Sequence, residues 1–286
     1  MTLTTQEFDE WKGREETALS HTAVAPIEAL LATLDHDAGT PRPGDALPPL
    51  GHWLFFWPAV SQSGLGEDGH PARGGFLPPV PLPRRMWAAG RVRFHRDLPL
   101  GVDVVRRSSI RDIAVKSGRM GELVFVTVDH EIRAESEQEI AIEEEQTIVY
   151  REAPAPGAAQ APGKAAPEDS IFEHSVTPNS AMLFRYSALT FNSHRIHYDQ
   201  PYVTGVEGYP GLIVHGPLTA TLLIDQFRRE HPGTEIAEFS FRAMSPAFAD
   251  RQLTLAGKPA DEKGTYSLWA KNDDGDLIMQ ADLRLR

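Results

Sequence analysis

The chain has 286 residues, 41% of them hydrophobic, and carries 28 Lys and Arg against 40 Asp and Glu for a formal charge of −12. That length buries one large core or two ordinary ones, and no window approaches the ~18–20 consecutive apolar residues that span a bilayer. The acidic balance, with basic clusters no longer than pairs, argues against nucleic acid as a partner; the absence of cysteine removes disulfides, thiolate metal sites and cysteine nucleophiles.

The N-terminus lacks the basic start and apolar stretch of a secretory signal, so a cytoplasmic protein is expected. An apolar stretch at Ile27 to Leu34 predicts a helix. Between Gly64 and Gly75, four glycines (Gly66, Gly69, Gly74 and Gly75) lack the Gly-Lys-Ser/Thr ending of a phosphate loop and predict a mobile loop over a pocket. The Pro-rich run Phe76 to Pro83 has no counterpart later in the chain. Strand-like runs follow at Arg91 to Phe94, Leu123 to Asp129 and Gln146 to Tyr150, while the acidic run Glu143 to Glu145 reads as a solvated face. Residues 152–169, rich in Pro, Ala and Gly, have almost nothing bulky to bury and read as a linker.

In the second half, Val214 to Arg229 predicts a largely buried helix. Pro217 sits at its first helical position, Pro232-Gly233 acts as a stop signal, and Arg228 and Arg229 suit the negative end of its dipole. Alternation at Glu238 to Met244, Thr265 to Lys271 and Leu277 to Leu285 predicts strands, with Asn272 to Asp276 as a hairpin turn and an antiparallel meander at the C-terminus. A helix followed by antiparallel strands, occurring twice around the linker, predicts an α+β chain of two units, residues 1–151 and 170–286.

Reactive side chains concentrate between Arg185 and Tyr202, where His194 and His197 stand near Asn192, Asp199, Arg185 and Arg195. Imidazole titrates near neutrality and exchanges protons with substrate or water. Thr190-Phe-Asn-Ser-His-Arg-Ile-His-Tyr-Asp199 resembles the Ser-Gly-Asp-x-Asn-Pro-Ile-His-x-Asp signature of the MaoC-like hydratases, and Pro210-Gly-Leu-Ile-Val-His-Gly216 before an apolar helix resembles that family's second motif. Arg84 to Phe94 also resembles the fused subgroup that includes mesaconyl-CoA and itaconyl-CoA hydratases and mitochondrial 3-hydroxyacyl-thioester dehydratases.

The resemblance implies two hotdog folds fused in one chain, each a curved antiparallel sheet wrapped around a central helix. The C-terminal half would carry the catalytic residues and the N-terminal half would shape an acyl pocket. It further implies an acyl-CoA thioester as substrate, no cofactor, no membrane partner and assembly as a homodimer. The match departs where the family has its catalytic Asp, here Asn192; the motif Asn and Pro become His194 and Arg195. A neutral amide orients water but cannot serve as a base, so His197 is expected to carry the proton transfer, with the Gly216 N–H at the helix start polarising the thioester oxygen.

Bland alternatives stand beside each role. Asn192 is also a plausible helix cap, and His194 could be pocket wall or structural. Asp199 reads as a turn or supporting residue, and His215 packs beneath the helix. Arg185 and Arg195 are either solvated charges or a clamp for a second carboxylate. Three rival functions are open: a hotdog thioesterase, a metal-dependent hydrolase using His194, His197 and Asp199, and a non-catalytic thioester-binding module.

Overall fold

In the computed structural model, residues 3–36, 39–118, 121–153 and 163–286 are described; the central part of the expected linker, 154–162, lies outside them. Ten strands form one antiparallel sheet in the order β1-β3-β4-β5-β2-β7-β10-β9-β8-β6. They are β1 (Glu15–His21), β2 (Arg84–Phe94), β3 (Asp103–Gly118), β4 (Gly121–Ala134), β5 (Ile142–Arg151), β6 (Phe172–Val176), β7 (Ile236–Ala243), β8 (Leu253–Pro259), β9 (Thr265–Asn272) and β10 (Leu277–Leu285). The first five occupy one side of the sheet and the last five the other, joined where β2 pairs with β7 from Ala89↔Arg242 to Arg93↔Glu238.

The longest strand, β3, escapes the alternation pattern for two reasons. A bulge between Ile110 and Asp112 shifts its register against β4, so the inward positions change parity from Ser108 and Ile110 to Ile113. One inward position is also a polar Ser108, which hydrogen-bonds the buried His130 ring at 2.8 Å. Period-2 reading fails at a bulge because the inserted residue flips every later side chain. The expected β9–β10 turn is present, but only Gly275 takes positive φ. Asn272 holds the turn through its side chain, accepting from the Asp274 and Asp276 N–H groups at 3.1 and 2.7 Å.

Among the described residues are four α-helices: α1 (Val24–Thr33), α2 (Ser180–Thr190), α3 (Gln200–Gly205) and α4 (Gly216–Glu230). α4 packs on β8, β9 and β10 with Leu218, Leu222, Leu223, Ile224 and Phe227 buried, and its core merges with Ile27 and Leu30 of α1. The two helices differ in their neighbours, since α1 packs chiefly against α2 and the turn Gly51–Leu54. No helix among the described residues is long and apolar enough to cross a membrane.

Candidate active site

Helix α2 ends at Phe191, which adopts the left-handed conformation at φ 50°. The chain reverses there, and Asn192 fixes the turn by accepting the His194 N–H on Oδ1 at 3.0 Å. This local bond replaces the expected helix-cap role, because the following 3-10 turn, Arg195–His197, has His194 as its N-cap. The turn drives the His197 ring inward. Its Nδ1 donates to the Ile213 carbonyl at 2.7 Å, which leaves Nε2 as the acceptor in the neutral ring. Burial lowers the His197 pKa to about 4, against the opposing hydrogen bond to Ile213. The ring is therefore neutral at pH 7.

His215, the N-cap of α4, stacks on His197 with ring centroids 3.6 Å apart. It is buried, bonds Ser187 Oγ through Nε2 at 2.8 Å and does not line the cleft, so it supports the His197 ring from beneath. Gly216 follows it. As the first residue of α4 it has no intrahelical acceptor for its N–H, and it makes no other backbone hydrogen bond among the described residues. A Cβ at this position would meet nothing closer than the Trp87 carbonyl at 3.8 Å.

His197, Gly216, Asn192 and His194 all line one cleft of about 1630 Å3 that runs between the two sides of the sheet. Trp53 and Trp87 line its wall and pack edge-on with centroids 4.9 Å apart, and Phe241 packs against both rings. Trp57 stacks on Phe191 at 5.4 Å nearby.

Two residues invisible to motif reading close the site. The Gly64 to Gly75 loop docks on the His194 turn: the Arg195 N–H donates to the Asp68 carbonyl at 2.9 Å, and Ser193 Oγ donates to the Gly69 carbonyl at 2.6 Å. Gly69 (φ +84°) permits this approach, since a Cβ there would lie 2.0 Å from the Ser193 carbonyl oxygen. The expected mobile loop is thus a tethered one, and it delivers His70 against His194 at 3.9 Å between centroids. Asp68 holds the His70 ring at 3.1 Å. Burial acts to raise the Asp68 pKa, but the hydrogen bond and charge of His70 hold it well below the usual carboxylate range. Burial likewise depresses His194, reinforced by His70 and His197. The one sequence signal for this pair was a Gly-rich stretch with an acid and a histidine inside it.

Other expectations change. Asp199 caps α3 by accepting the Tyr202 N–H at 3.1 Å and binds Arg195 at 2.8 Å; neither Asp199 nor Arg195 lines the cleft. The His194, His197 and Asp199 metal triad is not assembled, because Asp199 is turned to the helix and His197 Nδ1 to a carbonyl. The donor atoms that do converge, within 4.8 Å, belong to Asp68, His70 and His194. The clamp expected from Arg185 and Arg195 is likewise absent: Arg185 is exposed on α2 and outside the cleft. Glu144, expected in solvent, points into the cleft and is buried, because β5 alternates.

Comparison with known proteins completes the identification. The family model for hydroxyacyl-thioester dehydratase type 2 matches residues 50–249. A mesaconyl-C(4)-CoA hydratase of Chloroflexus aurantiacus is 44% identical over 283 residues, 99% of each chain. A mitochondrial hydroxyacyl-thioester dehydratase type 2 of Schizosaccharomyces pombe is 33% identical over 264 residues, covering 81% of this chain and 86% of its own. Among solved structures, a MaoC-like dehydratase from Phytophthora capsici superposes with a TM-score of 0.75 at 12% identity, covering 99% of this chain and 98% of its own. A Mycobacterium tuberculosis protein described as a double hotdog fold gives 0.61 at 14%, covering 99% and 98%. The fold is the double hotdog, and the chain belongs to the hydroxyacyl-thioester dehydratase type 2 family, which makes it a hydro-lyase of acyl-thioesters.

Proposed function

We propose that the chain hydrates a short enoyl-CoA thioester carrying a second carboxylate, a C4 or C5 dicarboxylyl-CoA such as mesaconyl-CoA or itaconyl-CoA, and catalyses the reverse dehydration. The observation that carries this reading is one shared cleft: a neutral His197 ring with Nε2 left as an acceptor, and the unpartnered Gly216 N–H at the start of α4. Water held by Nε2 and the Asn192 amide attacks the β-carbon as His197 takes its proton. Negative charge passes to the thioester oxygen, where the Gly216 N–H and the positive end of α4 stabilise it. The imidazolium then returns the proton to the α-carbon, directly or through a water, and the ring is neutral again.

Residues 1–151 would supply the acyl pocket and 170–286 the acid–base machinery, with 152–169 joining them. The 44% identity to a hydratase over nearly the whole chain supports the substrate class. Cytoplasmic residence as a homodimer completes the proposal; sedimentation of the purified protein checks the assembly. The deciding assay follows loss of the enoyl absorbance with itaconyl-, mesaconyl- and crotonyl-CoA on wild type and His197→Ala. Turnover of none of them by wild type, release of free thiol instead, or full activity in the variant sinks the reading.

A further inference from the structure

Among the described residues, five guanidinium groups line the cleft, those of Arg73, Arg84, Arg85, Arg106 and Arg151. Four are engaged. Arg73 donates to the Val80 and Pro83 carbonyls at 2.5 and 2.7 Å. Arg84 pairs with Glu207 at 3.0 Å, Arg106 with Glu16 at 3.7 Å though its Nε has no partner among the described residues, and Arg151 donates to the Tyr209 hydroxyl at 3.1 Å. Arg85 makes no ion pair or side-chain hydrogen bond among the described residues, although it is only half exposed to solvent.

Its cross-strand neighbour is equally unfulfilled. Arg85 of β2 stands directly opposite Tyr150 of β5, so both side chains share one face of the sheet. Tyr150 is fully buried, and its hydroxyl, close enough to Arg85 to feel its charge, has no partner in hydrogen-bonding geometry among the described residues. A buried hydroxyl left unpaired is costly, and a half-buried guanidinium without an anion is costly too. One carboxylate placed between them answers both, accepting two parallel N–H bonds from Arg85 and the O–H of Tyr150.

The position within the cleft agrees. Glu144, Gln146, Ile148 and Tyr150 alternate inward along β5 and all line the cavity. The Glu144 end is anionic and repels a second carboxylate; the Arg85 end is cationic. Arg85 is also near enough to His70 and His194 for its charge to add to the burial that lowers the pKa of both rings. A C4 or C5 dicarboxylyl group carries its free carboxylate within a bond or two of the β-carbon, so its anchor must lie beside the hydrating histidines.

We infer that Arg85 and Tyr150 form the subsite that binds the free carboxylate of the acyl group and thereby select dicarboxylyl thioesters over plain enoyl thioesters. The inference rests on the hydration reading for the identity of the ligand, and its test has an arm that does not. In the first arm, kcat/KM is measured for mesaconyl-C4-CoA and for crotonyl-CoA, which has hydrogen in place of the carboxylate, on wild type, Arg85→Gln and Tyr150→Phe. Arg85→Gln should lower the dicarboxylyl value at least about tenfold and leave crotonyl-CoA unchanged, with Tyr150→Phe acting in the same direction by less. Equal losses on both substrates would assign Arg85 to a coenzyme A phosphate or to folding, and no loss would leave it without a role; either overturns the inference. Tyr150→Phe removes only an unpaired hydroxyl, so a selective loss there cannot be misfolding.

In the second arm, calorimetry compares succinyl-CoA with butyryl-CoA, neither of which can be hydrated. Wild type should prefer succinyl-CoA and Arg85→Gln should abolish the preference. A wild type that binds the two alike overturns the inference even if hydration is observed. Preference for succinyl-CoA without any hydratase activity sinks the proposed reaction and leaves the carboxylate subsite standing.

Discussion

Two groups of buried histidines and carboxylates line the same cleft and differ in one respect. Around Glu144, both carboxylate oxygens are used, although the outer nitrogens His52 Nδ1 and His130 Nε2 have no partner among the described residues: Oε2 takes His52 Nε2 at 3.0 Å, and Oε1 takes Trp53 Nε1 and Gln146 Nε2, each at 2.9 Å. Burial alone would raise the Glu144 pKa, but the bond to His52 and the nearby imidazoles bring it to about 2. Around His197, bonds fix the rings from behind, Nδ1 to Ile213 and His70 to Asp68, while His197 Nε2 and the Gly216 N–H are left for a ligand. A buried carboxylate with donors on both oxygens builds structure; a ring anchored on one nitrogen and open toward the cleft on the other builds a site.

Exchanging the perturbation between the two groups gives the sharpest contrast. His197→Ala should lower kcat/KM on the order of 10³-fold, with a smaller loss of stability from the vacated Ile213 carbonyl. Glu144→Ala should do the opposite, costing about 3 kcal/mol of stability because His52 and Trp53 lose their acceptor inside the protein, with activity per folded molecule retained. Thermal melts and steady-state rates on the two variants separate the outcomes; a stable, inactive Glu144→Ala would erase the distinction.

Gly216→Ala tests the open side alone. The added methyl meets no protein atom within 3.8 Å, so melting should be unaffected, while a displaced thioester should lose on the order of 10²-fold in rate. Retention of full activity would show that the thioester lies elsewhere.

Acid should affect the two groups in different windows. An unfolded histidine binds its proton near pH 6.5, whereas folded His197, depressed chiefly by burial, holds out until about 4. Its contribution to stability is thus present above pH 6.5 and is lost as pH falls from 6.5 through 4. The low-pH limb of the rate should likewise follow His197 protonation near 4. Glu144 contributes above the unfolded value near 4.5 and loses its contribution only as pH falls through about 2. Denaturant titrations across this range, on wild type and Glu144→Gln, check the order. The smallest effect is expected of Asn192→Asp, which keeps an acceptor for the His194 N–H and adds a carboxylate to the open group; it should stay active or gain rate, and complete inactivation would show a pocket tuned to the amide.

Local information was enough for much of the C-terminal half. Pro217, the apolar face of α4 and the alternation of β9 and β10 each sit in a short window, and two nearby motifs singled out His197 and Gly216, which line the same cleft. What needed the tertiary structure involves residues far apart in sequence. Asp68 and His70 reach His194 only because Gly69 lets one loop lie on another; Arg85 and Tyr150 meet only through strand register. The same reason decides the charges: an acidic run such as Glu143 to Glu145 spells out three equal side chains, and only pairing of β5 with its neighbours turns the middle one inward. Arg195 and Arg85 look alike as letters, and it is the fold that gives one a carboxylate of its own and leaves the other free to take a ligand's.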